Sequence, residues 1–306
     1  VLWNWLRKNI LKKAGIMMSE AILHKPQWLR KKILLSQQEP MEELLAKNRV
    51  HTICEEALCP NRGECFSQKV ATFIILGTIC TRGCTFCAVS RGVPLAVNPH
   101  EPMNIANTVK HLGLRHVVIT SSTRDDLDDG GAEHFCNTVK EIKTMDESIT
   151  VELLIPDMQE NLLALETVAH SGAEIIGHNL ETVPRLYHVR NGSHYERSLR
   201  VLRELSVFNP NIKTKSGIML GFGEQDDEVV SLMQDLLNVN CKYLSIGQYL
   251  SPSSKHQRVV EYVQPSRFEY LRDRGMEMGF KFIHSSPYTR SSYMAHEYLE
   301  ADNETV

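Results

Sequence analysis

Cys80, Cys84 and Cys87 stand in the stretch C-T-R-G-C-T-F-C, a CxxxCxxC spacing. Three thiolates this close together can hold three irons of a [4Fe–4S] cluster and leave the fourth iron without a protein ligand. An iron left open in that way can bind a substrate or cosubstrate. The competing reading is a zinc knot, or a few buried thiols, because Cys runs inside cells are often zinc sites. Zinc usually takes four protein ligands and favours two CxxC knuckles. Here there is one CxxxCxxC and no histidine close by, so the spacing favours the cluster.

A second triad, Cys54, Cys59 and Cys65, lies upstream in C-E-E-A-L-C-P-N-R-G-E-C and lacks an obvious fourth thiol. The remaining cysteines, Cys136 and Cys241, sit alone and read as small buried hydrophobes. Disulfides could use six clustered cysteines. No secretory signal is recognised, however, and oxidised pairs are out of place in a reducing compartment. Two iron–sulfur clusters account for the two triads better than three bridges.

The CxxxCxxC spacing, with Phe86 just before the last Cys, resembles that of the radical S-adenosylmethionine (SAM) enzymes. The resemblance implies that the open iron chelates the amino and carboxylate groups of SAM. One electron from the cluster then cleaves SAM to methionine and a 5′-deoxyadenosyl radical. The two spacings in this order resemble the lipoyl synthase family, from about Lys25 to Ala295. The likeness includes K-P-Q-W-L-R (Lys25–Arg30), R-D-D-L-D-D-G-G-A (Arg124–Ala132) and N-L-E-T-V-P-R-L-Y (Asn179–Tyr187). It continues through K-S-G-I-M-L-G (Lys215–Gly221), Q-Y-L (Gln248–Leu250) and R-S-S-Y-M-A (Arg290–Ala295). It implies that Cys54, Cys59 and Cys65 hold an auxiliary [4Fe–4S] cluster whose fourth ligand is a serine of R-S-S-Y. By position that serine is Ser292, with Ser291 the second choice. On the residues alone, Ser291–Ser292 reads as a turn or helix cap.

These groups need a frame to hold them. The 306 residues allow one large α/β barrel-type domain with extensions. From residue 72 onward, short apolar runs alternate with helical patterns. The strand candidates are Thr72–Leu76, His116–Thr120, Thr150–Leu154, Glu174–His178, Thr214–Leu220 and Tyr243–Gly247, with a further short run at Phe280–His284. In Ser193–Phe208, Tyr195, Leu199, Leu202 and Leu205 recur at helical spacing. Ser193 with Glu196 reads as a capping box there, and Asn209–Pro210 as the stop. Strands alternating with helices imply parallel pairing. Six such units indicate an incomplete (β/α)6 TIM-type barrel, which is also the fold the resemblance implies. In such barrels chemistry sits at the strand C-terminal ends, and Cys80–Cys87 follows the first strand directly. The expected organisation is a leader or upstream segment over residues 1–24, an extension carrying the auxiliary triad over 25–71, the barrel over 72–284, and a C-terminal extension over 285–306. If Ser292 is to meet the first triad, both extensions must cap the barrel mouth.

The formal charge of −3 makes no global case for nucleic-acid binding. No apolar run reaches the length of a membrane span. The first eighteen residues carry Arg7, Lys8, Lys12 and Lys13 and no acid. They read as a targeting presequence, as a membrane-surface helix, or, the preferred expectation, as sequence upstream of a natural start at Met17 or Met18. The expected compartment is the cytoplasm, or a mitochondrion or plastid if residues 1–16 are a presequence.

Other residues fall where a barrel would place them at its mouth. T-S-S-T-R-D-D-L-D-D-G-G-A follows the second strand, so Ser122 and Asp125 are candidate SAM or substrate contacts. The same acidic run reads equally well as a solvated turn; it lacks the offsets of an EF-hand. The family more often has T-S-V-D-R-D-D here, so Ser122 and Thr123 depart from it, and the missing carboxylate at Thr123 leaves any role for that position in doubt. Asn179 and Glu181 follow the fourth strand and could bind the SAM ribose or amino-acid part. Glu152 and Lys215 are polar positions on the third and fifth strands. Gly221 would let the backbone approach a cofactor. Arg290 could bond the serine oxygen or cluster sulfides; surface solvation is its alternative. The basic Lys25–Lys32 segment is too short a patch for nucleic acid and suits an acidic carrier domain.

The resemblance thus implies a sulfurtransferase that adds sulfur at carbons 6 and 8 of a protein-bound octanoyl-lysine. Its implied partners are octanoylated lipoyl-carrier domains of 2-oxoacid dehydrogenase complexes or glycine cleavage H protein, a ferredoxin- or flavodoxin-type electron donor, and an iron–sulfur carrier for cluster rebuilding. Two other classes remain open. One is a radical SAM enzyme whose auxiliary cluster transfers electrons. The other is a non-enzymatic iron–sulfur or zinc protein, which would cleave no SAM.

Overall fold

The computed structural model describes residues 24–30, 39–67, 70–293, 295 and 298. The expectations for residues 1–23 lie outside them. Residues up to Arg30 belong to one compact unit and the rest of the chain to another. In the first, Pro26 leads into a single 3-10 turn, Gln27–Leu29.

The second unit is built on seven parallel strands. They are β1 (Thr72–Ile75), β2 (His116–Ser121), β3 (Thr150–Leu154), β4 (Ile175–Gly177), β5 (Lys213–Leu220), β6 (Tyr243–Gln248) and β7 (Phe282–Ser285). They pair strictly in chain order, and a two-residue strand, His51–Thr52, adds antiparallel to the free side of β1. The first and last strands do not pair, so the barrel is open. All six expected strands are present, and the short run at Phe280–His284 is a seventh.

Side-chain alternation divides each strand between two jobs. Phe73, Ile75, Val117, Ile119, Val151, Leu153 and Ile176 enter one apolar core, and Ile218, Leu220, Leu244, Ile246 and Ile283 enter a second. Six helices complete those cores: α1 (Glu101–Leu112), α2 (Ala132–Met145), α3 (Leu162–Ala169), α4 (Tyr195–Phe208), α5 (Asp226–Asn238) and α6 (Pro265–Met278). The opposite row carries His116, Thr120, Glu152, Lys215, Gly217, Ser245 and Gly247. Strands buried on both faces normally read as continuous apolar runs. A polar and glycine-rich inner row marks the interior as the place where something other than strand side chains is accommodated.

Two local expectations are corrected. The α4 N-cap is His194, without a side-chain cap; the Ser193 hydroxyl instead accepts a bond from Arg82 Nη1 at 3.0 Å, so it is unavailable to the helix. The helix does stop at Phe208 as Asn209–Pro210 predicts. At Gly221 (φ 116°) the space a Cβ would occupy is filled by Gln248 Nε2 and the Glu261 carbonyl. The close approach there is made by the chain itself.

Candidate active site

The loop after β1 carries Cys80, Cys84 and Cys87. Two short strands, Ile79–Cys80 and Ser90–Arg91, close its base, and Gly92 N–H donates to the Cys80 carbonyl at 3.1 Å. Arg82 anchors the middle. Its guanidinium donates to both oxygens of Asp125 (2.7 Å each) and both of Asp157 (2.6 and 2.8 Å). A planar fork with fixed donors suits this double bridge. Asp157 is fully buried. Burial opposes its ionisation, yet the Arg82 bonds and charge bring it down to about 2. On the far side, Asn191 Nδ2 donates to the Gly83 carbonyl (2.7 Å) and Thr85 N–H to that of Val189 (2.9 Å). Phe86 packs against Phe222, which stacks on Tyr249 at 4.3 Å.

The acidic run after β2 is divided among partners. Asp125 serves Arg82, Asp126 pairs with Arg124 (2.8 Å), and Asp129 accepts the Gly131 and Glu133 N–H groups at the start of α2. Ser122 is buried and donates to the Gly77 carbonyl at 3.0 Å. These residues shape the loop beside the cysteines.

The other triad is brought to the C-terminal segment. Cys54 lies in the short helix Ile53–Glu56 and Cys65 in Arg62–Ser67; Cys59 N–H donates to the Cys54 carbonyl at 3.0 Å. Asn61 Nδ2 donates to the Tyr288 carbonyl at 2.7 Å, and the Tyr293 hydroxyl reaches Glu64 at 3.4 Å. Arg290 is deep in this junction, within electrostatic reach of Cys59, and donates to the Thr289 carbonyl at 2.6 Å.

Asn179 reaches the C-terminal segment, and Glu181 the cysteines after β1. Asn179 Nδ2 donates to Ser291 Oγ at 2.6 Å. Glu181 is held at φ 68°, in the left-handed region that residues with a side chain adopt uncommonly. Its carboxyl is pushed up by burial, against Arg190, and its charge is felt by Cys84 and Cys87. Glu152 and Lys215 form one buried ion pair at 2.8 Å. Burial disfavours the Glu152 charge, yet Lys215 and His116 hold it below the usual carboxylate range. Lys215 Nζ also donates to the Ser291 carbonyl at 2.6 Å. Two further residues at the site were not singled out from the sequence. Arg82 could have been, as the one cation inside the cysteine loop. Arg190 donates to the Asn179 carbonyl (2.6 Å) and Tyr187 hydroxyl (2.7 Å), and a lone arginine in a loop carries no such signal.

The donor sets suit iron–sulfur clusters. The Cys54 thiol is pushed up to about 12, first by burial and then by Cys59, with a smaller push from Cys65. Burial, then Cys84 and Cys80, push Cys87 up to about 12. Cys84 rises to about 11, mainly by burial, with Cys80 contributing. Within each triad the sulfurs are near enough to repel, and thiolates form there only around a positively charged group. Among the described residues no three Cys, His, Asp or Glu side chains close around a single-ion position.

Residues 74–236, from β1 through the cysteine loop into α5, match the model of the Radical SAM superfamily. Fold and cysteine loop together define a radical SAM enzyme. The chain is 50% identical over 279 residues to the lipoyl synthase of Citrifermentans bemidjiense, covering 91% of this chain and 96% of that one. It is 52% identical over 277 residues to the lipoyl synthase of Geobacter metallireducens, covering 90% and 98%. The chain belongs to the lipoyl synthase family. Streptococcus suis SuiB bound to S-adenosylmethionine shares the fold, with a TM-score of 0.53 and 13% identity over 90% of this chain and 57% of that longer one. No helix among the described residues is long and apolar enough to cross a membrane.

Proposed function

We propose that this chain inserts two sulfur atoms, at carbons 6 and 8, into an octanoyl chain carried in amide linkage on a lysine of a lipoyl-carrier domain. The observation that carries this reading is the junction of the Cys54–Cys59–Cys65 segment with residues 288–293, beside a second cysteine triad. The target C–H bonds are unactivated, so acid–base groups cannot remove their hydrogens and a radical cofactor is required. When bound, SAM and its cluster supply the 5′-deoxyadenosyl radical, and the auxiliary cluster supplies sulfide.

Cys80, Cys84 and Cys87 hold the SAM cluster in this reading, with Arg82 setting the loop between Asp125 and Asp157. Cys54, Cys59, Cys65 and Ser292 hold the auxiliary cluster. The commitment of the Ser291 hydroxyl to Asn179 favours Ser292 as the ligand, because the Ser292 hydroxyl makes no hydrogen bond among the described residues. Glu181 and Asn179 face SAM or substrate. Arg290 places positive charge beside the auxiliary cluster. Ser122, Asp125, Glu152 and Lys215, all engaged by protein partners, support the site from behind. The segment that carries the Cys54–Cys59–Cys65 triad and residues 285–293 then cap the mouth of a barrel of residues 72–284. The partners are octanoylated lipoyl domains of 2-oxoacid dehydrogenase complexes or glycine cleavage H protein, a ferredoxin or flavodoxin, and an iron–sulfur carrier. The compartment is the cytoplasm.

Anaerobic reconstitution with iron and sulfide, then incubation with SAM, dithionite and an octanoyl-lysine peptide, tests the reading by mass spectrometry. The expected product gains two sulfurs with two 5′-deoxyadenosines formed per peptide, one for each C–H bond cleaved. Deoxyadenosine without sulfur gain would overturn the assignment of the auxiliary triad as sulfur donor.

A further inference from the structure

After β7 the chain turns back along the inner row of the barrel. Pro287 accepts from Gln248 N–H (3.3 Å) at the C-terminal end of β6. A Cβ on Gly247 would collide with the Thr289 carbonyl, and one on Gly217 would lie 2.9 Å from Ser291 Oγ. The course ends at Tyr298, which is fully buried against Ile175, Tyr243 and Phe282. Those three are the first residues of β4, β6 and β7. The segment therefore spans the barrel from mouth to floor, and the glycines of the inner row leave room for it.

Lys215 meets this segment twice. Its ammonium donates to Glu152 (2.8 Å) and to the Ser291 carbonyl (2.6 Å), and lies 3.8 Å from the centroid of the Tyr298 ring. Tyr298 packs its edge against Phe282 at 5.0 Å, and its hydroxyl reaches the Leu244 carbonyl at 3.4 Å. A buried ion pair is a weak source of stability, and apolar residues would fill the same volume as well or better. What an ammonium adds is a directed bond to one backbone carbonyl, and a cation–π contact to one ring. Both fall on the same segment, one on each side of Ser292.

We propose that Lys215, charge-paired by Glu152, and Tyr298 form a clamp that fixes the chain on both sides of Ser292 and presents the Ser292 hydroxyl to the Cys54, Cys59 and Cys65 thiols. This rests on the reading that Ser292 is the fourth auxiliary ligand. Both are positioning residues. A hydroxyl is a weak ligand, so it binds well only when its place is prepaid by preorganisation. The clamp also gives the hydroxyl a fixed place to return to after the auxiliary cluster has been spent and rebuilt.

The test is iron release from the reconstituted full-length protein by an excess of a ferrous chelator, followed spectroscopically. The variants are Ser292→Ala, Tyr298→Leu, the conservative Tyr298→Phe, and the double variant Lys215→Met/Glu152→Gln, which removes both partners of the buried ion pair together. Circular dichroism verifies folding of each. The expected result is that Ser292→Ala releases one half of the iron faster than the native protein, and that Tyr298→Leu and the double variant do so about tenfold, the scale expected when one residue regains its backbone freedom. The other half should leave at the native rate, and Tyr298→Phe should resemble the native protein. If Ser292→Ala speeds release while folded Tyr298→Leu and the double variant do not, the clamp is wrong and the serine ligand stands. If Ser292→Ala itself changes nothing, the serine reading fails and takes the clamp with it. Equal acceleration of both halves would mean general loosening, and would also overturn the clamp.

Discussion

At the scale of single residues, the proposed chemistry turns on a contrast between the Cys54, Cys59 and Cys65 thiolates and the Ser292 hydroxyl. On that proposal, a cluster that surrenders its sulfide would gain from a serine ligand that lets go more readily than a thiolate. Ser292→Cys is therefore expected to lower sulfur insertion more than SAM cleavage. The measurement is the ratio of 5′-deoxyadenosine to lipoyl product, and a native ratio would count against a labile serine. Arg82 is the corresponding residue at the other triad. It bridges two carboxylates with four bonds, and a lysine, with one compact donor head, cannot span both. Arg82→Lys should weaken iron retention at Cys80, Cys84 and Cys87, seen as lower 5′-deoxyadenosine formation with the auxiliary cluster still loaded. The motif cysteines stand out in the sequence as candidate ligands because thiols at short spacing have few other uses. Glu152 and Lys215 stood out as polar residues on apolar strands, but their partnership depends on strands three and five facing one interior.

At the scale of elements, His178 ties three pieces together. Its Nδ1–H donates to the Ile155 carbonyl (2.9 Å), and its Nε2 accepts from the Ser198 hydroxyl of α4 (3.0 Å). Burial, then the charge of Arg190, bring it down to about 3. An unfolded histidine takes up its proton near pH ~6.5. Between that pH and about 3 the unfolded chain binds a proton that the folded chain refuses. Acid therefore favours unfolding across this window, and above it His178 contributes no pH dependence. The expected outcome is a melting temperature that falls steadily below pH ~6.5, with a shallower fall in His178→Gln. An unchanged slope in that variant would remove His178 from the account. The strands and the helix stops were legible from alternation and from Asn209–Pro210. The start of α4 was misread because Ser193, a good capping residue by type, is claimed by Arg82 from a loop 111 positions away.

At the scale of the whole molecule, the inside of the open barrel receives its own C-terminal segment at Thr289, Ser291 and Tyr298. Gly247→Ala places a Cβ against the Thr289 carbonyl, which is backbone and cannot swing aside. Overpacking of this kind typically costs about 1–3 kcal/mol. The variant should melt at a lower temperature and lose auxiliary iron in preference to SAM-cluster iron. A native melting curve with native iron content would show that the segment does not need that path. Composition and spacing determined the class of chemistry, the alternating strand and helix order, and the candidate cysteine ligands, because these depend on neighbours a few residues apart. Tertiary structure decided what occupies the interior: which serine is committed to Asn179, which carbonyl Lys215 holds, and why the inner row is rich in glycine. The reason is physical. Those contacts join residues more than a hundred positions apart in one case and 76 in the other, and only the return of the chain through the barrel puts them within hydrogen-bond reach.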